Sequence, residues 1–148
     1  MNTHPYLRAF LAGAFVPTLI LPLMLAGFII FRLVLQVPIP IERGIVFPMA
    51  LVPSLWGVWN MLWLVTHMRT HLAISLHGVL LPLLLMPCGA LLGSGLGILA
   101  LGSTGVVWFQ EIHVPYVLIA PIFLCGLIGY YLVWKYIVGS VNRVLGIA

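Results

Sequence analysis

Residues 48–67, PMALVPSLWGVWNMLWLVTH, form the most detailed of four long hydrophobic stretches in this chain. In a helix, residues three or four positions apart share one face. That spacing places five residues of the stretch on a single stripe: Pro53, Trp56, Asn60, Trp63 and His67. An amide inside an apolar helix needs hydrogen-bond partners, which it finds on other helices or on a ligand. Ser54, Trp56 and Asn60 are therefore a candidate central polar site.

The composition of the chain excludes an ordinary soluble domain. Of its 148 residues, 64% are hydrophobic and 5% are charged, whereas a soluble domain carries about 25% charged residues. The basic residues are scattered and form no run or patch, so nothing favours nucleic-acid binding. We therefore expect an integral membrane protein whose main partner is the lipid bilayer.

The four hydrophobic stretches predict four transmembrane helices, at about residues 9–31, 44–65, 72–94 and 115–137. Each has roughly the 20 residues that cross about 30 Å of hydrocarbon. Because the connections are short, consecutive helices should be antiparallel neighbours. The predicted fold is an all-α, four-helix transmembrane bundle, with residues 1–148 forming a single domain and the stretch 106–116, VVWFQEIHVPY, lying along the outer surface before the fourth helix.

The basic residues predict the orientation of the bundle, because cytoplasmic loops carry an excess of Lys and Arg. Two sets flank opposite ends of the predicted spans: Arg8, Arg69, Lys135 and Arg143 against Arg32 and Arg43. Four against two places both termini in the cytoplasm, in the cytoplasmic or inner membrane of a bacterium. Glu42, Glu111 and His113 then form an outer group of ionisable residues, which either anchors the loops or responds to protons.

Prolines recur at a fixed spacing along the chain. Three pairs lie five residues apart: Pro17 and Pro22, Pro48 and Pro53, Pro82 and Pro87. An interior proline removes a hydrogen bond and kinks its helix. A shift of 65 residues also superposes the prolines and several leucines of the first stretch on the third. The pattern is consistent with two tandem helical hairpins, although leucines in apolar stretches also align by chance.

Small residues predict where helices approach closely. Gly89, Gly93 and Gly97 follow one another at four-residue intervals in the third stretch, and Cys125 and Gly129 do the same in the fourth. Such small-xxx-small faces admit a second helix. The second helix belongs either to the same bundle or to a homo-oligomer or larger membrane complex.

Three histidines, His67, His71 and His77, gather around the turn between the second and third stretches. They are weak candidates for a cofactor site, because a bis-histidine haem needs two imidazoles at matching depth on facing helices. Zinc needs three or four firm ligands, and neither Cys nor a carboxylate lies near them. We therefore predict no metal and no cofactor, with haem as the remote alternative.

The chain contains no catalytic motif that we can identify. It has no aspartate, and no serine and histidine pair has an orienting carboxylate at hand. The first functional hypothesis is a non-catalytic, oligomer-forming or accessory membrane subunit. The second is a small transporter or channel for a neutral or lipophilic solute through a proline-kinked centre. The third is a histidine-ligated redox subunit.

Overall fold

The computed structural model describes residues 4–36 and 42–147. The elements follow in this order: α1 (Pro5–Ile29) with a π-helical extension (Ile30–Val34), a π-helical segment (Glu42–Val46) leading into α2 (Phe47–Thr70), α3 (Ile74–Gly95), strands β1 (Leu99–Leu101), β2 (Gly105–Trp108) and β3 (Ile112–Pro115), α4 (Tyr116–Leu132) with a π-helical extension (Val133–Val138), and α5 (Gly139–Val144).

Four helical runs in the described residues are long and apolar enough to cross a bilayer. They are Pro5–Val34, Phe47–Thr70, Ile74–Gly95 and Tyr116–Val144. The prediction of four membrane-length helices is confirmed. The second and fourth runs extend several residues beyond their predicted ends, because the polar residues there remain helical. The second run ends at Thr70, and the next residue, His71, has a left-handed backbone (φ 51°) and caps the helix by donating its N–H to the His67 carbonyl.

The segment between α3 and α4 corrects the all-α prediction. It forms a three-stranded antiparallel sheet in the order β1-β2-β3, with Leu101 opposite Val106 and Val107 opposite His113. The β-branched residues of the strands favour extended backbone. Phe109 and Gln110 both have positive φ, as a type I′ hairpin turn requires. A hydrophobic segment that closes its own hydrogen bonds as a hairpin does not need to lie as a loop along the surface.

Close contacts show that neighbouring helices run antiparallel. Phe10 of α1 lies against Gly57 of α2. Three residues later in α1, Gly13 lies against Trp56, so the two helices run in opposite directions. The indole N–H of Trp63 donates to the Leu72 carbonyl at 3.1 Å, which closes the turn between α2 and α3.

The hydrophobic core lies where α1, α2, α3 and the fourth helical run meet. Its buried members are Val16, Trp56, Leu81, Trp134 and Val138. The guanidinium of Arg8 donates to the Leu145 carbonyl at 3.2 Å, so both chain ends lie at the same end of the bundle.

Candidate functional site

A pair of buried amides joins three helices near the chain ends. Asn60 Nδ2 donates to Asn142 Oδ1 at 2.8 Å, and Asn142 Nδ2 donates back to Asn60 Oδ1 at 3.1 Å. Asn60 Nδ2 also donates to the Ala9 carbonyl at 2.8 Å. Both amides are 0% exposed. This amide pair therefore links α2 to α5 and α1, with each oxygen and each nitrogen bonded.

Small residues on α1 make room for the amide pair. Ala9 and Ala12 are completely buried, and a Cβ added to Gly13 would lie 2.7 Å from the Asn60 Cβ. Of the candidate central polar site, Trp56 and Asn60 are buried, whereas Ser54 is exposed.

Sequence reasoning missed Asn142, because it lies beyond the predicted end of the fourth span. Its signal was its spacing. Asn142 lies four residues after Val138 and eight after Trp134, and all three are completely buried. That spacing is the periodicity of one helix face. The buried face of the fourth helical run therefore continues beyond the hydrophobic stretch.

Aromatic rings pack beside the amide pair. The Trp56 ring lies 5.1 Å from that of Tyr130 and 5.3 Å from that of Trp134, between centroids. The His77 ring stacks on Trp59 at 4.7 Å. These five residues, Trp56, Trp59, His77, Tyr130 and Trp134, are called the aromatic cluster below. Together with the amide pair they form the closed half of the molecule.

Two hydrogen bonds hold His77 against Trp59. The indole N–H of Trp59 donates to the His77 carbonyl at 2.8 Å, and His77 Nε2 lies 3.0 Å from the Trp59 carbonyl. Because a carbonyl oxygen only accepts, Nε2 carries a hydrogen and donates it. Gly78 lies directly against the Trp134 ring, so a side chain at Gly78 would displace that ring.

The three candidate cofactor histidines do not share one site. His67 Nδ1 bonds with the Leu72 carbonyl at 3.2 Å, and the His67 and His71 ring centroids lie 6.5 Å apart. His77 is instead buried in the aromatic cluster. Across residues 4–36 and 42–147, no group of three or more His, Cys, Asp or Glu side chains could hold a metal ion.

The outer ionisable residues are also dispersed. Glu42 Oε1 lies 3.9 Å from Arg32 Nη2, and the Arg43 side chain lies outside the described part of the chain. His113 Nε2 lies 3.2 Å from Thr104 Oγ1 on the neighbouring part of the sheet. Glu111 is exposed in the β2–β3 turn. In the structure the hydrogen-bond contact of His113 is therefore Thr104.

A large apolar crevice opens at the other end of the molecule. Its volume is about 1220 Å³, and it lies between the start of α2, the end of α3, the sheet and the start of α4. Its sides include Leu51 of α2, Leu85 and Gly89 of α3, Leu96 just after α3, and Ile122 of α4. The sheet contributes five further residues: Leu99, Leu101, Val106, Trp108 and Val114. This crevice and the elements around it form the open half of the molecule.

A smaller recess of about 300 Å³ lies between α1, α2 and α4. Gly126 and Gly129 contribute to one side of it, and Trp56 and Pro17 contribute to the others. A Cβ added to either glycine would meet no atom within 4 Å. Cys125, one residue earlier on α4, is exposed.

The glycines of α3 lie along the crevice. A Cβ on Gly89 would meet no atom within 4 Å, and a Cβ on Gly93 would lie 3.2 Å from the Leu99 Cβ. Gly97 has a positive φ of 67° and lies in the turn beyond the end of α3. Of the three predicted glycines, only Gly89 and Gly93 therefore lie within α3, and Gly93 faces β1.

The two halves differ in the chemistry that they allow. In the closed half the amides bond to one another and to the backbone, whereas the open half has free apolar volume. No protein-family model, curated protein or solved structure matches this chain. Its function must therefore be inferred from these two halves.

Proposed function

We propose that the four helical runs cross a bacterial cytoplasmic or inner membrane with both termini in the cytoplasm. The Arg8 contact with Leu145 supports this arrangement, because it brings the two chain ends together at one face. Arg143 lies in the same region and adds to the basic end, as the positive-inside rule expects. The proline kinks and the tandem hairpins stay predictions within this arrangement.

We propose that the protein is a non-catalytic membrane subunit that associates with a second transmembrane helix through α4. The supporting observation is the open space around Gly126 and Gly129 beside the recess. Gly13 and Gly78, by contrast, are fully used by contacts within the chain. In lipid, helices associate mainly by close packing at small residues. An unfilled recess bordered by two glycines can receive a side chain from another helix.

Native cysteines provide the test. Cys125 lies four residues before Gly129, so it shares the α4 face, while Cys88 is an equally exposed cysteine on α3. We expect mild oxidation of native membranes to join two copies through Cys125, because a disulfide needs Cα atoms within about 7 Å. The product should persist in Cys88→Ser, disappear in Cys125→Ser and weaken in Gly129→Leu.

The size of the cross-linked product identifies the partner. A product with twice the mass of the chain indicates a homo-oligomer, and one of another mass indicates a larger complex with a different protein. A chain that remains uncross-linked in native membranes and monomeric in mild detergent would contradict the proposal.

A second candidate is a carrier for a lipophilic solute, which the crevice favours. Its apolar lining could hold such a solute in the open half. The amide pair is buried between α1, α2 and α5 in the closed half, so the solute would have to leave sideways into lipid. Reconstituted vesicles should then exchange a fluorescent lipophilic probe faster than vesicles without protein, and equal rates would exclude this candidate.

A further inference from the structure

We propose that the crevice is a binding site for one acyl chain of a phospholipid from the outer leaflet. This inference rests on the transmembrane placement proposed above and is independent of the α4 interface. It assigns a ligand class to the large apolar crevice and a role to the open half.

The depth of the crevice matches one leaflet. Along α3 and its C-cap residue, the crevice runs from Leu85 to Leu96, a rise of about 16 Å at 1.5 Å per residue. Half of a hydrocarbon core about 30 Å thick is about 15 Å. The crevice therefore extends from one interface to the middle of the bilayer and no further.

The lining suits an uncharged chain. Among the described residues, none along the crevice is Asp, Glu, Lys, Arg or His, so a charged group inside it would lack a partner there and pay the cost of desolvation. The Tyr116 hydroxyl donates to the Gly102 carbonyl at 2.9 Å and is already engaged. Tyr116 and Trp108 mark the sheet end of the crevice, and such aromatic residues favour the headgroup level of a bilayer.

The same dimensions disfavour a membrane-spanning helix, including one from a second copy. Such a helix is about 10 Å wide and needs contact across about 30 Å of hydrocarbon. The crevice offers about half that length, and Val106 and Val114 of the sheet border it. An acyl chain attached to a headgroup at the interface needs only one leaflet of depth.

Gly89 provides the room for the chain. A Cβ added there would meet no atom within 4 Å. Gly89→Leu should therefore fill the crevice without disturbing the fold. Gly27 of α1 is a matched control, because it also has open space around it and does not border the crevice.

Lipid retention tests the assignment. The full chain would be reconstituted in vesicles of dioleoyl phosphatidylcholine, extracted into mild detergent and weighed by native mass spectrometry. We expect one retained phospholipid per chain for wild type and for Gly27→Leu. Occupancy should fall about tenfold in Gly89→Leu, because losing contact with about two methylene groups is enough for that change. Ile122→Trp fills the crevice from α4 and serves as a second variant if Gly89→Leu does not fold.

Two lipid exchanges sharpen the test. Replacing phosphatidylcholine by phosphatidylglycerol should leave retention unchanged, whereas replacing oleoyl by octanoyl chains should lower it. Absence of retention in wild type, equal retention in all variants, or a retained mass equal to a second copy or a non-phospholipid solute would overturn the proposal. A protein that does not fractionate with membranes would instead refute the transmembrane placement, and a missing Cys125 cross-link would affect only the α4 interface.

Discussion

The closed and open halves of this molecule are built from the same residue types and use them differently. In the closed half, Gly13 lies against the α2 backbone and Gly78 lies against the Trp134 ring. In the open half, Gly89 has open space around it. Glycine thus permits a close helix contact in one half and leaves a gap in the other. The comparison shows that a glycine pattern indicates where approach is allowed, and the neighbouring side chains decide whether it occurs.

Polarity separates the halves in the same way. The closed half holds two amides, Asn60 and Asn142, whose side chains hydrogen-bond to each other. The crevice in the open half is bordered by apolar side chains and two aromatic residues that carry a polar group. Buried amides favour one arrangement of the helices, because a buried donor or acceptor without its hydrogen-bond partner destabilises the fold. An apolar crevice, by contrast, accepts any apolar chain of suitable size. We therefore infer that the closed half maintains the structure and that the open half binds.

The largest expected effect tests the packing of the closed half. Trp134 is completely buried at the centre of the aromatic cluster. Trp134→Ala should lower the free energy of unfolding by about 3–5 kcal/mol, the usual cost of removing a buried tryptophan. Denaturant titration in detergent, followed by circular dichroism, measures this loss.

Trp134→Phe is the matched control. In the described part of the chain the Trp134 indole N–H has no hydrogen-bond partner, so phenylalanine removes no bond and should retain most of the stability. If Trp134→Ala were as stable as wild type, the contrast between a packed half and an open half would be lost.

An intermediate effect tests the amide pair. Asn142→Ala leaves Asn60 Oδ1 buried without its donor, which should cost about 1–3 kcal/mol. A double-mutant cycle with Asn60→Ala isolates the coupling between the two amides. The two losses should be clearly non-additive, with the double variant less destabilised than their sum. Simple additivity would show that the amides contribute separately, despite their mutual hydrogen bonds.

The smallest expected effect belongs to the open half. Gly89→Ala should raise the stability slightly, by about 0.5–1 kcal/mol, because alanine is the better helix residue and nothing lies near its Cβ. Gly78→Ala should change stability in the opposite direction, since its Cβ would strike the Trp134 ring. Thermal unfolding of the two variants side by side gives both signs. A loss of stability in Gly89→Ala would mean that α3 is tightly covered at that position.

The sequence predicted the membrane-length helices better than the connection between α3 and α4. Apolar runs are long and continuous, so their number can be counted from the hydropathy along the sequence. Val106, Val107 and Trp108 lie in the stretch that the sequence predicts to follow the outer surface, whereas they form β2. Their β-branched and aromatic character and the nearby glycines were available as strand signals. A three-stranded hairpin arrangement is too short to show a strong alternating pattern.

The candidate polar position was identified only in part. Asn60 stood out because an amide is rare inside an apolar stretch, but its partner lies 82 residues away in sequence. Ser54 was grouped with it by proximity in sequence and lies on the exposed side of α2. The three histidines were grouped in the same way, and burial separated His77 from the other two.

By itself the sequence determined the four membrane-length helices seen in the described residues, because the length and apolarity of each run are local properties. Only the tertiary structure decided that Asn60 pairs with Asn142, that Gly13 and Gly78 are covered, and that Gly89 borders a crevice. Those outcomes depend on which helix faces meet. Residues that meet there are far apart in the chain, so no local pattern of hydrophobicity specifies them.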